Sequence, residues 1–479
     1  MSAAYNNQLV YVIIFNRLTL LSSARNERGR WGRESDGTCS FDDVCVDMER
    51  VFSFSALIFV LMIVSSEVSG FPKLIHRSLE ENVGITLNQI TEPENVSKAI
   101  ELDELTIAHK ILERVPLIDG HNDLPHVIRL LAESQLASFN LTDLVDKKPW
   151  STDPTSHTDI LRLRQGKIGA QFWVAYTSCK TQHNDSPQKA IEQIDLIYRL
   201  IDLYADTFQL ATTAQEIEDI FALGKIASLI GVEGGHAIGN SLGVLRTFYR
   251  LGVRYMTLTH SCPTPWADNS QLDNPGQAPI HDGLSGFGEA IVQEMNRLGM
   301  MVDISHVSVS TMEDVLNVSK APVIFSHSGA FSVCNNTRNV PDHILRRLAK
   351  NGGIIMVVFY NEFVACDQSA SLYHVVRHIQ HIRNVIGVDY IGLGGDFNGV
   401  DRVPTDLEDV SKYPNLFAEL LRQGWSEKDL EKLAGKNMLR VMRRVEQVKM
   451  ELFPMEPIEE WIPTEDLQPE HKQCLTEYS

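Results

Sequence analysis

The sequence predicts an α/β fold, a closed (β/α)8 barrel of the TIM type. Short apolar runs bounded by glycine, proline or polar residues alternate with segments of helical period, a pattern typical of a parallel sheet covered on both faces. There are eight such units, the number that closes this kind of barrel. The runs are Val115 to Ile118, Gln171 to Thr177, Ile226 to Val232, Val253 to Thr259, Met301 to Ser305, Pro322 to Ser326, Gly353 to Tyr360 and Tyr390 to Gly394.

Length and composition agree with a large globular domain. The 479 residues, 43% of them apolar and 22% charged, are typical of a folded chain. The net charge of −19 is spread without a basic cluster, which argues against nucleic acid as a partner. We expect the barrel domain at residues 71–450 and a C-terminal tail at 451–479, with two smaller domains as the alternative on length alone.

Residues 48–70 have the pattern of a signal peptide. The stretch from Val51 to Val64 is almost wholly apolar and runs into small and polar residues, with cleavage expected after Gly70. This stretch is short for a membrane span, which needs roughly 20 residues. Residues 1–47 precede Met48 as an upstream extension, and a signal anchor is the alternative if they are translated. We therefore expect a protein that is secreted or lies on the extracellular face of the plasma membrane.

Cysteines and glycosylation motifs agree with secretion. Of seven cysteines, Cys39 and Cys45 precede the signal segment. The others are Cys179, Cys262, Cys334, Cys366 and Cys474. In an oxidising compartment four cysteines can form two bridges in three ways, and an odd fifth near the C-terminus can pair between chains. Acceptor motifs for N-glycosylation begin at Asn95, Asn140, Asn317 and Asn335.

The first predicted strand ends at two potential metal ligands. A polar helical pattern from Phe71 to Arg114 leads into it. Residues two apart in an extended segment face the same way, so His121 and Asp123 can bind one metal ion from a strand end. Two further His-x-Asp triplets do not follow a predicted strand and are set aside: His157 with Asp159, and His183 with Asp185.

Ionisable residues follow six of the eight predicted strands. Strands of a parallel barrel end on one rim, so these residues are expected to meet in one pocket. A single histidine after a strand is usually a turn or core residue, and a single glutamate a helix cap. Burying six such groups together costs several kcal/mol unless metal or mutual pairing offsets it. They are His121, Glu233, His260, His306, His327 and Asp396.

The residue types in this set point to catalytic zinc. Imidazole nitrogens and carboxylate oxygens without thiolate suit zinc in a catalytic rather than structural setting. Five or six ligands exceed the needs of one tetrahedral ion, so we expect two ions, with Glu233 from a central strand as the bridging ligand. Two metals would hold a bridging water whose pKa falls to about 7, which gives a metal-bridging hydroxide as nucleophile.

Seven motifs form a specific set. They are Ile118 to Pro125, Gly231 to His236, Tyr255 to Asn269, Asp303 to Ser308, Pro322 to Ser328, Arg338 to Asp342, and Gly394 to Val400. With these motifs the chain from Ile111 to Val445 resembles the membrane dipeptidases, the renal-type zinc dipeptidases of the metal-dependent amidohydrolase superfamily.

The resemblance implies a role for each rim residue. His121 and Asp123 would bind one zinc, His306 and His327 the other, and Glu233 both, giving two zinc ions per chain. It also implies that His260 contacts the substrate and polarises its carbonyl, that Arg338 binds the substrate carboxylate, and that Asp396 binds substrate and transfers protons. Each role has an alternative. Arg338 can form a surface ion pair, and His260 can be a core histidine or one that supports a ligand. Asp396 can be a further metal ligand.

The implied activity is hydrolysis of the peptide bond of dipeptides, with cysteinyl-glycine conjugates and β-lactams as further substrates. The resemblance also implies disulfides that join Cys179 to Cys262 and Cys334 to Cys366, and a homodimer linked through Cys474.

The chain departs from the family pattern in two places. It ends at Glu477-Tyr478-Ser479 without the hydrophobic tail that directs a glycolipid anchor, so anchoring is not expected from this chain. Phe363 stands where a tyrosine is expected in the substrate pocket. Two other functions remain as alternatives: an amidohydrolase-type barrel that acts on a cyclic amide, and a non-enzymatic secreted protein on the same barrel.

Overall fold

The strands predicted from the sequence are present, together with one short additional strand. They are β1 (Leu117–Asn122), β2 (Ile168–Tyr176), β3 (Phe208–Leu210), β4 (Ile226–Glu233), β5 (Val253–Thr257), β6 (Met301–Asp303), β7 (Ile324–Ser328), β8 (Ile354–Val357) and β9 (Ile391–Leu393). The computed structural model describes residues 93–467, and those from Ser97 onward belong to one compact unit. The predicted signal segment, the upstream extension and Cys474 lie outside the described residues.

All strands are parallel, and eight of them close into a barrel. Hydrogen-bonded neighbours follow the order β2, β1, β9, β8, β7, β6, β5, β4, and pairing between β2 and β4 completes the ring. The short β3 pairs only with the start of β4 and stands outside the ring. The predicted (β/α)8 barrel is therefore confirmed.

Helices connect successive strands, and further helices lie before β1 and after β9. They are α1 (Pro93–Arg114), α2 (Leu124–Ala132), α3 (Ile160–Gln165), α4 (Ser186–Leu203), α5 (Ala214–Ala222), α6 (Leu242–Arg250), α7 (Gly286–Leu298), α8 (Val309–Val318), α9 (Asp342–Asn351), α10 (Asn361–Val364), α11 (Leu372–Ile386), α12 (Tyr413–Arg422), α13 (Glu427–Glu431) and α14 (Asn437–Leu452). Several begin at a serine or threonine whose side chain accepts a backbone N–H of the first turn, as Ser308 does for α8. None of the described helices is both long and apolar enough to cross a membrane.

Alternate residues of a strand pack into different cores. In β2, Phe172 and Val174 join the cluster inside the barrel, whereas Trp173 and Ala175 join the layer between strands and helices. The Tyr255 ring fills the barrel interior because Gly231 on the neighbouring strand has no side chain: a β-carbon there would lie 2.3 Å from the ring. The filled interior leaves the C-terminal rim as the place where polar side chains can gather.

Candidate metal centre and active site

Three imidazole nitrogens converge on one carboxylate oxygen at the C-terminal rim. Oε1 of Glu233 lies 3.1 Å from Nε2 of His306 and 3.3 Å from Nε2 of His327. It lies 3.6 Å from Nε2 of His121. The Nε2 atoms of His306 and His327 are themselves 2.9 Å apart. All four side chains are buried, so the arrangement is one compact polar centre inside an apolar barrel.

Two further carboxylates complete the His121 side of the centre. Nε2 of His121 lies 3.2 Å from Oδ2 of Asp123 and 3.9 Å from Oδ1 of Asp396. The structure thus brings together every residue that the sequence predicts as a metal ligand, in overlapping groups whose ligand atoms lie within 4.8 Å of one another. It also places Asp396 among them, close enough to serve as a ligand or as a proton carrier.

The strand ends present these side chains in different ways. His121 lies within β1, His327 lies within β7, and Glu233 is the last residue of β4. His306 and Asp396 follow β6 and β9 and take left-handed backbone conformations, with φ of 67° and 61°. This conformation costs a non-glycine residue about 1–3 kcal/mol and persists only where neighbouring contacts hold it.

Hydrogen bonds hold the left-handed backbone of His306. Its carbonyl accepts the N–H of Ser270 at 2.7 Å and the hydroxyl of Thr259 at 3.1 Å. Ser270 belongs to the long segment between β5 and α7, which is folded around the buried carboxylate of Asp268. The segment therefore positions the candidate ligand His306 from outside β6, the strand that precedes it.

The donor set fits divalent metal ions. It offers imidazole nitrogens and carboxylate oxygens within reach of one another, and carboxylates of this kind are rarely buried together without a cation. Oδ1 of Asp123 is buried and makes no hydrogen bond with any described residue. His121, Asp123 and Glu233 form one candidate group, and Glu233, His306 and His327 form another. Glu233 belongs to both, as a bridging ligand must.

Burial and charge set the protonation of the histidines. Burial lowers the pKa of His306 and of His327 well below the usual value, so both rings are neutral and able to bind a metal. Burial would also lower the pKa of His121, but the carboxylates of Glu233 and Asp123 outweigh it and raise that pKa to about 10. His121 must therefore lose a proton when it becomes a ligand.

The pKa values of the carboxyl groups shift upward. Burial raises the pKa of Glu233 well above its usual value, and the nearby charge of Asp123 adds to the effect. Burial raises the pKa of Asp396 in the same way, again with a contribution from Asp123. Carboxylates crowded into one pocket hold protons until a cation replaces them.

His260 lies beside the residues that form the candidate metal-ligand cluster rather than among them. The cluster consists of His121, Asp123, Glu233, His306, His327 and Asp396. The Nε2 atom of His260 is 3.8 Å from Oε2 of Glu233, and its side chain is 17% exposed. Burial lowers its pKa to about 3, so the ring is neutral. The ring stands edge-on to Tyr176, with centroids 5.0 Å apart. Tyr176 is opposite Glu233 in the pairing of β2 with β4, a position that the sequence does not reveal because an aromatic residue at a strand end resembles a core residue.

Arg338 points into the same pocket from the segment before α9. Its guanidinium donates to the carbonyl of His327 at 3.1 Å and to Oγ of Ser328 at 3.4 Å. Burial lowers its pKa to about 10, so it stays charged at neutral pH. Its buried Nε has no hydrogen-bond partner among the described residues, which leaves a donor for an anion. The alternative of a surface ion pair is therefore wrong for Arg338.

Both disulfides implied by the family resemblance form, and each is close to a residue of the pocket. Cys179 bonds to Cys262, two residues after His260. The Cys179 sulfur is 4.0 Å from Nδ1 of His260. Cys334 bonds to Cys366, and the carbonyl of Cys334 accepts an N–H from the side chain of Asn339, the residue after Arg338.

Neither of the other two His-x-Asp triplets belongs to the groups of candidate metal ligands found among the described residues. Asp159 accepts the backbone N–H and the guanidinium of Arg162, and Asp185 precedes α4. His157 is buried and accepts the backbone N–H of Asn398, so it supports the loop after Asp396 from outside the metal centre. The glycosylation motifs at Asn140, Asn317 and Asn335 are exposed, and Asn95 lies in α1.

A parallel barrel with a buried cluster of His, Asp and Glu on its C-terminal rim defines a metal-dependent hydrolase. The chain matches the family model described as membrane dipeptidase, peptidase family M19, over residues 105–453. It is 47% identical over 349 residues to dipeptidase 3 of Mus musculus, which covers 73% of this chain and 68% of that relative. For dipeptidase 3 of Homo sapiens the identity is 46% over 358 residues, covering 74% and 70%.

Solved structures agree with this assignment. The structure described as dipeptidase AC, a metallopeptidase of family M19, is 26% identical to the chain, with a TM-score of 0.62 and coverage of 69% of this chain and 98% of that one. The chain therefore belongs to the membrane dipeptidase family, as its motifs indicate. It is a metallo-dipeptidase, and the alternative of a non-enzymatic protein on the same barrel is wrong.

Proposed function

We propose that this metallo-dipeptidase binds two zinc ions per chain and hydrolyses the peptide bond of free dipeptides with them. The observation that carries the proposal is the convergence of three Nε2 atoms, from His121, His306 and His327, on Oε1 of Glu233 at 3.1–3.6 Å. A pair of metal ions with a shared ligand requires one carboxylate within reach of both sets of ligands, and Glu233 is close both to His121 and to His306 with His327. The absence of thiolate from the donor set favours zinc in a catalytic role.

The zinc ions would supply Lewis acidity and lower the pKa of a water molecule to about 7. Asp396 then takes the proton of the attacking water and passes it to the nitrogen of the leaving amine. The raised pKa of Asp396 supports this role, because a carboxyl group whose pKa lies closer to neutrality can both accept and return a proton.

Two pocket residues act on the substrate. His260 is neutral and only partly buried, so its ring can donate a hydrogen bond to the carbonyl oxygen as negative charge develops there. Arg338 binds the C-terminal carboxylate of the substrate, and its Nε–H, which has no hydrogen-bond partner among the described residues, supplies a free donor. Because Arg338 donates to the backbone carbonyl of His327, the carboxylate must lie close to the scissile bond, which selects dipeptides.

The same recognition extends the proposal to two further substrate classes. S-conjugates of cysteinyl-glycine and fused-ring β-lactams both carry an amide close to a free carboxylate. Each can therefore place its amide at the metal centre while Arg338 binds its carboxylate.

Zinc content and substrate length together test the proposal. We expect two zinc ions per chain by elemental analysis, and release of amino acids from a dipeptide panel that a chelator abolishes and zinc restores. A dipeptide amide, which lacks the free carboxylate, is the matched control and should be cleaved far less well. One metal ion per chain, or equal cleavage of dipeptide and dipeptide amide, would contradict the two-ion site or the role of Arg338 respectively.

We further propose that the chain is exported through residues 48–70 and forms a disulfide-linked homodimer through Cys474. The two intrachain disulfides and the exposed glycosylation motifs support an oxidising, extracellular setting. Expression in a secreting cell should yield a glycosylated dimer on a non-reducing gel. Cys474→Ser should run as a monomer there, and a wild-type chain at monomer size would overturn the linkage.

A further inference from the structure

A buried carboxylate below the metal centre is surrounded by hydrogen-bond donors. Asp303, the last residue of β6, is fully buried. Its Oδ1 atom accepts the backbone N–H groups of Ser305 at 3.0 Å and Ser326 at 2.9 Å. Its Oδ2 atom receives the hydroxyls of Thr257 at 2.5 Å and Ser326 at 2.6 Å. Since backbone N–H groups can only donate, Oδ1 must be the acceptor on its side.

The Ser326 hydroxyl connects this carboxylate to a metal ligand. Oγ of Ser326 lies 2.6 Å from Oδ2 of Asp303 and 2.8 Å from Nδ1 of His327. A serine hydroxyl has one proton to donate, and the Asp303 carboxylate accepts from all four donors around it. The Ser326 proton therefore points to Asp303, and the serine oxygen must accept from Nδ1 of His327.

The direction of the hydrogen bond between His327 and Ser326 determines the tautomer of the His327 ring. A ring that carries one proton then holds it on Nδ1 and leaves Nε2 unprotonated, and Nε2 is the atom 3.3 Å from Oε1 of Glu233. We propose that Asp303 is a positioning residue that, through Ser326, holds His327 in the Nδ1–H tautomer with Nε2 free for the metal. Its effect on metal affinity rests on the proposed function, whereas the tautomer itself does not.

The substitution Asp303→Asn reverses the hydrogen bonds without changing the shape of the side chain. The amide oxygen must face the two backbone N–H groups, so the amide NH2 faces the two hydroxyls. Ser326 then accepts from the amide and turns its own proton toward His327. The ring must switch its proton to Nε2, where it blocks metal binding.

15N NMR of the full-length, chelator-treated protein with 15N-labelled histidine shows which ring nitrogen of His327 carries the proton. The signals of His327 are assigned by their loss in His327→Gln. We expect a protonated Nδ1 in the wild type and a protonated Nε2 in Asp303→Asn. Titration with zinc against a competing chelator should show about 10- to 100-fold weaker binding in the variant, the usual size of such an effect.

Thr257→Val is the matched control, because it removes the other hydroxyl from the same carboxylate oxygen but breaks no link to a histidine. It should keep the wild-type tautomer. Ser326→Ala provides a second test if Asp303→Asn does not fold: it leaves Nδ1 of His327 without its 2.8 Å partner and should give mixed tautomers with weakened zinc binding.

The outcomes separate this inference from the proposed function. If the wild type binds no zinc but Asp303→Asn still switches the tautomer, the link from Asp303 to His327 is supported and the proposed zinc site is overturned. A wild-type tautomer in both Asp303→Asn and Ser326→Ala overturns the inference, and so does a switch that leaves zinc affinity unchanged.

Discussion

The guanidinium of Arg338 lies over the ring of Phe363, with its central carbon 5.1 Å from the ring centre. The Phe363 ring itself stands edge-on to Tyr360, with centroids 4.8 Å apart. A cation above an aromatic face is attracted by the ring, and more strongly where water is excluded. Phe363 therefore provides an aromatic surface that holds the plane of the Arg338 guanidinium, the group we propose to bind the substrate carboxylate.

We expect Phe363→Leu to weaken substrate binding. Loss of the stacking costs about 1 kcal/mol, so KM for a dipeptide should rise about fivefold while kcat changes little. Steady-state kinetics of purified variants measure both constants. Phe363→Tyr keeps the ring and should keep the wild-type KM. An unchanged KM in the leucine variant would show that hydrogen bonds alone orient Arg338.

Asp396→Asn separates proton transfer from metal binding. The amide keeps the size of the side chain but cannot accept a proton, so kcat should fall about 10²- to 10⁴-fold with normal zinc content. Asp401→Asn is the control, since Asp401 is an exposed carboxylate in the same loop and should retain full activity. If zinc content also falls by one ion in Asp396→Asn, the residue is a metal ligand instead.

The barrel is predictable from the sequence because strands buried on both faces are continuous apolar runs. The additional strand β3 is missed, since it has three residues and one of them, Gln209, is exposed. Strand ends are less predictable than strands: the prediction puts His121 and His327 after their strands, whereas both lie inside them.

The metal-ligand cluster is predictable because each member interrupts or follows an apolar run. The residues that support the cluster through hydrogen bonds are not predictable in this way. Tyr255, whose hydroxyl forms a hydrogen bond of 3.1 Å with Nδ1 of His121, and Asp303 lie within strands and resemble core positions. Their partners are distant in the chain, so only the register of neighbouring strands brings them together, as in the pairing of Thr257 with Asp303.

The pKa of His121 gives the metal-free chain a characteristic pH dependence. The folded-state pKa of about 10 lies above the ordinary histidine value of about 6.5. A raised pKa stabilises the folded chain fully below about pH 6.5, and this stabilisation is lost as the pH rises through about 10. The melting temperature of the chelator-treated chain should therefore fall between pH 7 and 10, and thermal unfolding followed by circular dichroism measures this.

The same proton also competes with the metal. Zinc binding near neutral pH should release a proton from His121, so apparent affinity should weaken by about tenfold for each pH unit below 10 per proton released. Calorimetric titration in buffers of different ionisation enthalpy counts the protons. His121→Gln, which cannot titrate, should show a flatter stability profile. An equal slope in this variant would assign the effect to other groups.

The two disulfides should have different kinetic effects. Cys179→Ser with Cys262→Ser frees the segment that carries His260 and should lower kcat. Cys334→Ser with Cys366→Ser frees the segment that carries Arg338 and should raise KM. Each pair is the control for the other, because removal of a disulfide costs about 2–5 kcal/mol of stability in either case. The kinetic constants must be measured well below the melting temperature of each variant. Identical changes in kcat and KM for the two pairs would show that both disulfides act only through overall stability.

Gly399 leaves space for the carboxylates on the His121 side of the centre. A β-carbon at this position would lie 2.4 Å from Oδ2 of Asp123 and 2.4 Å from Oδ1 of Asp396. Its φ lies outside the left-handed region that disfavours alanine, so Gly399→Ala should act through this collision rather than through backbone strain. Displacement of both carboxylates should lower kcat/KM about 100-fold and weaken zinc binding.

Gly286→Ala is the control for this substitution. Gly286 begins α7 and has open space around its α-carbon, so alanine there should leave kcat/KM unchanged and add about 0.4–1 kcal/mol of stability. The two variants are compared by kcat/KM, zinc content and melting temperature. Wild-type values for Gly399→Ala would mean that the carboxylates of Asp123 and Asp396 can move apart without loss of function, and hence that their spacing does not set the reactivity of the centre.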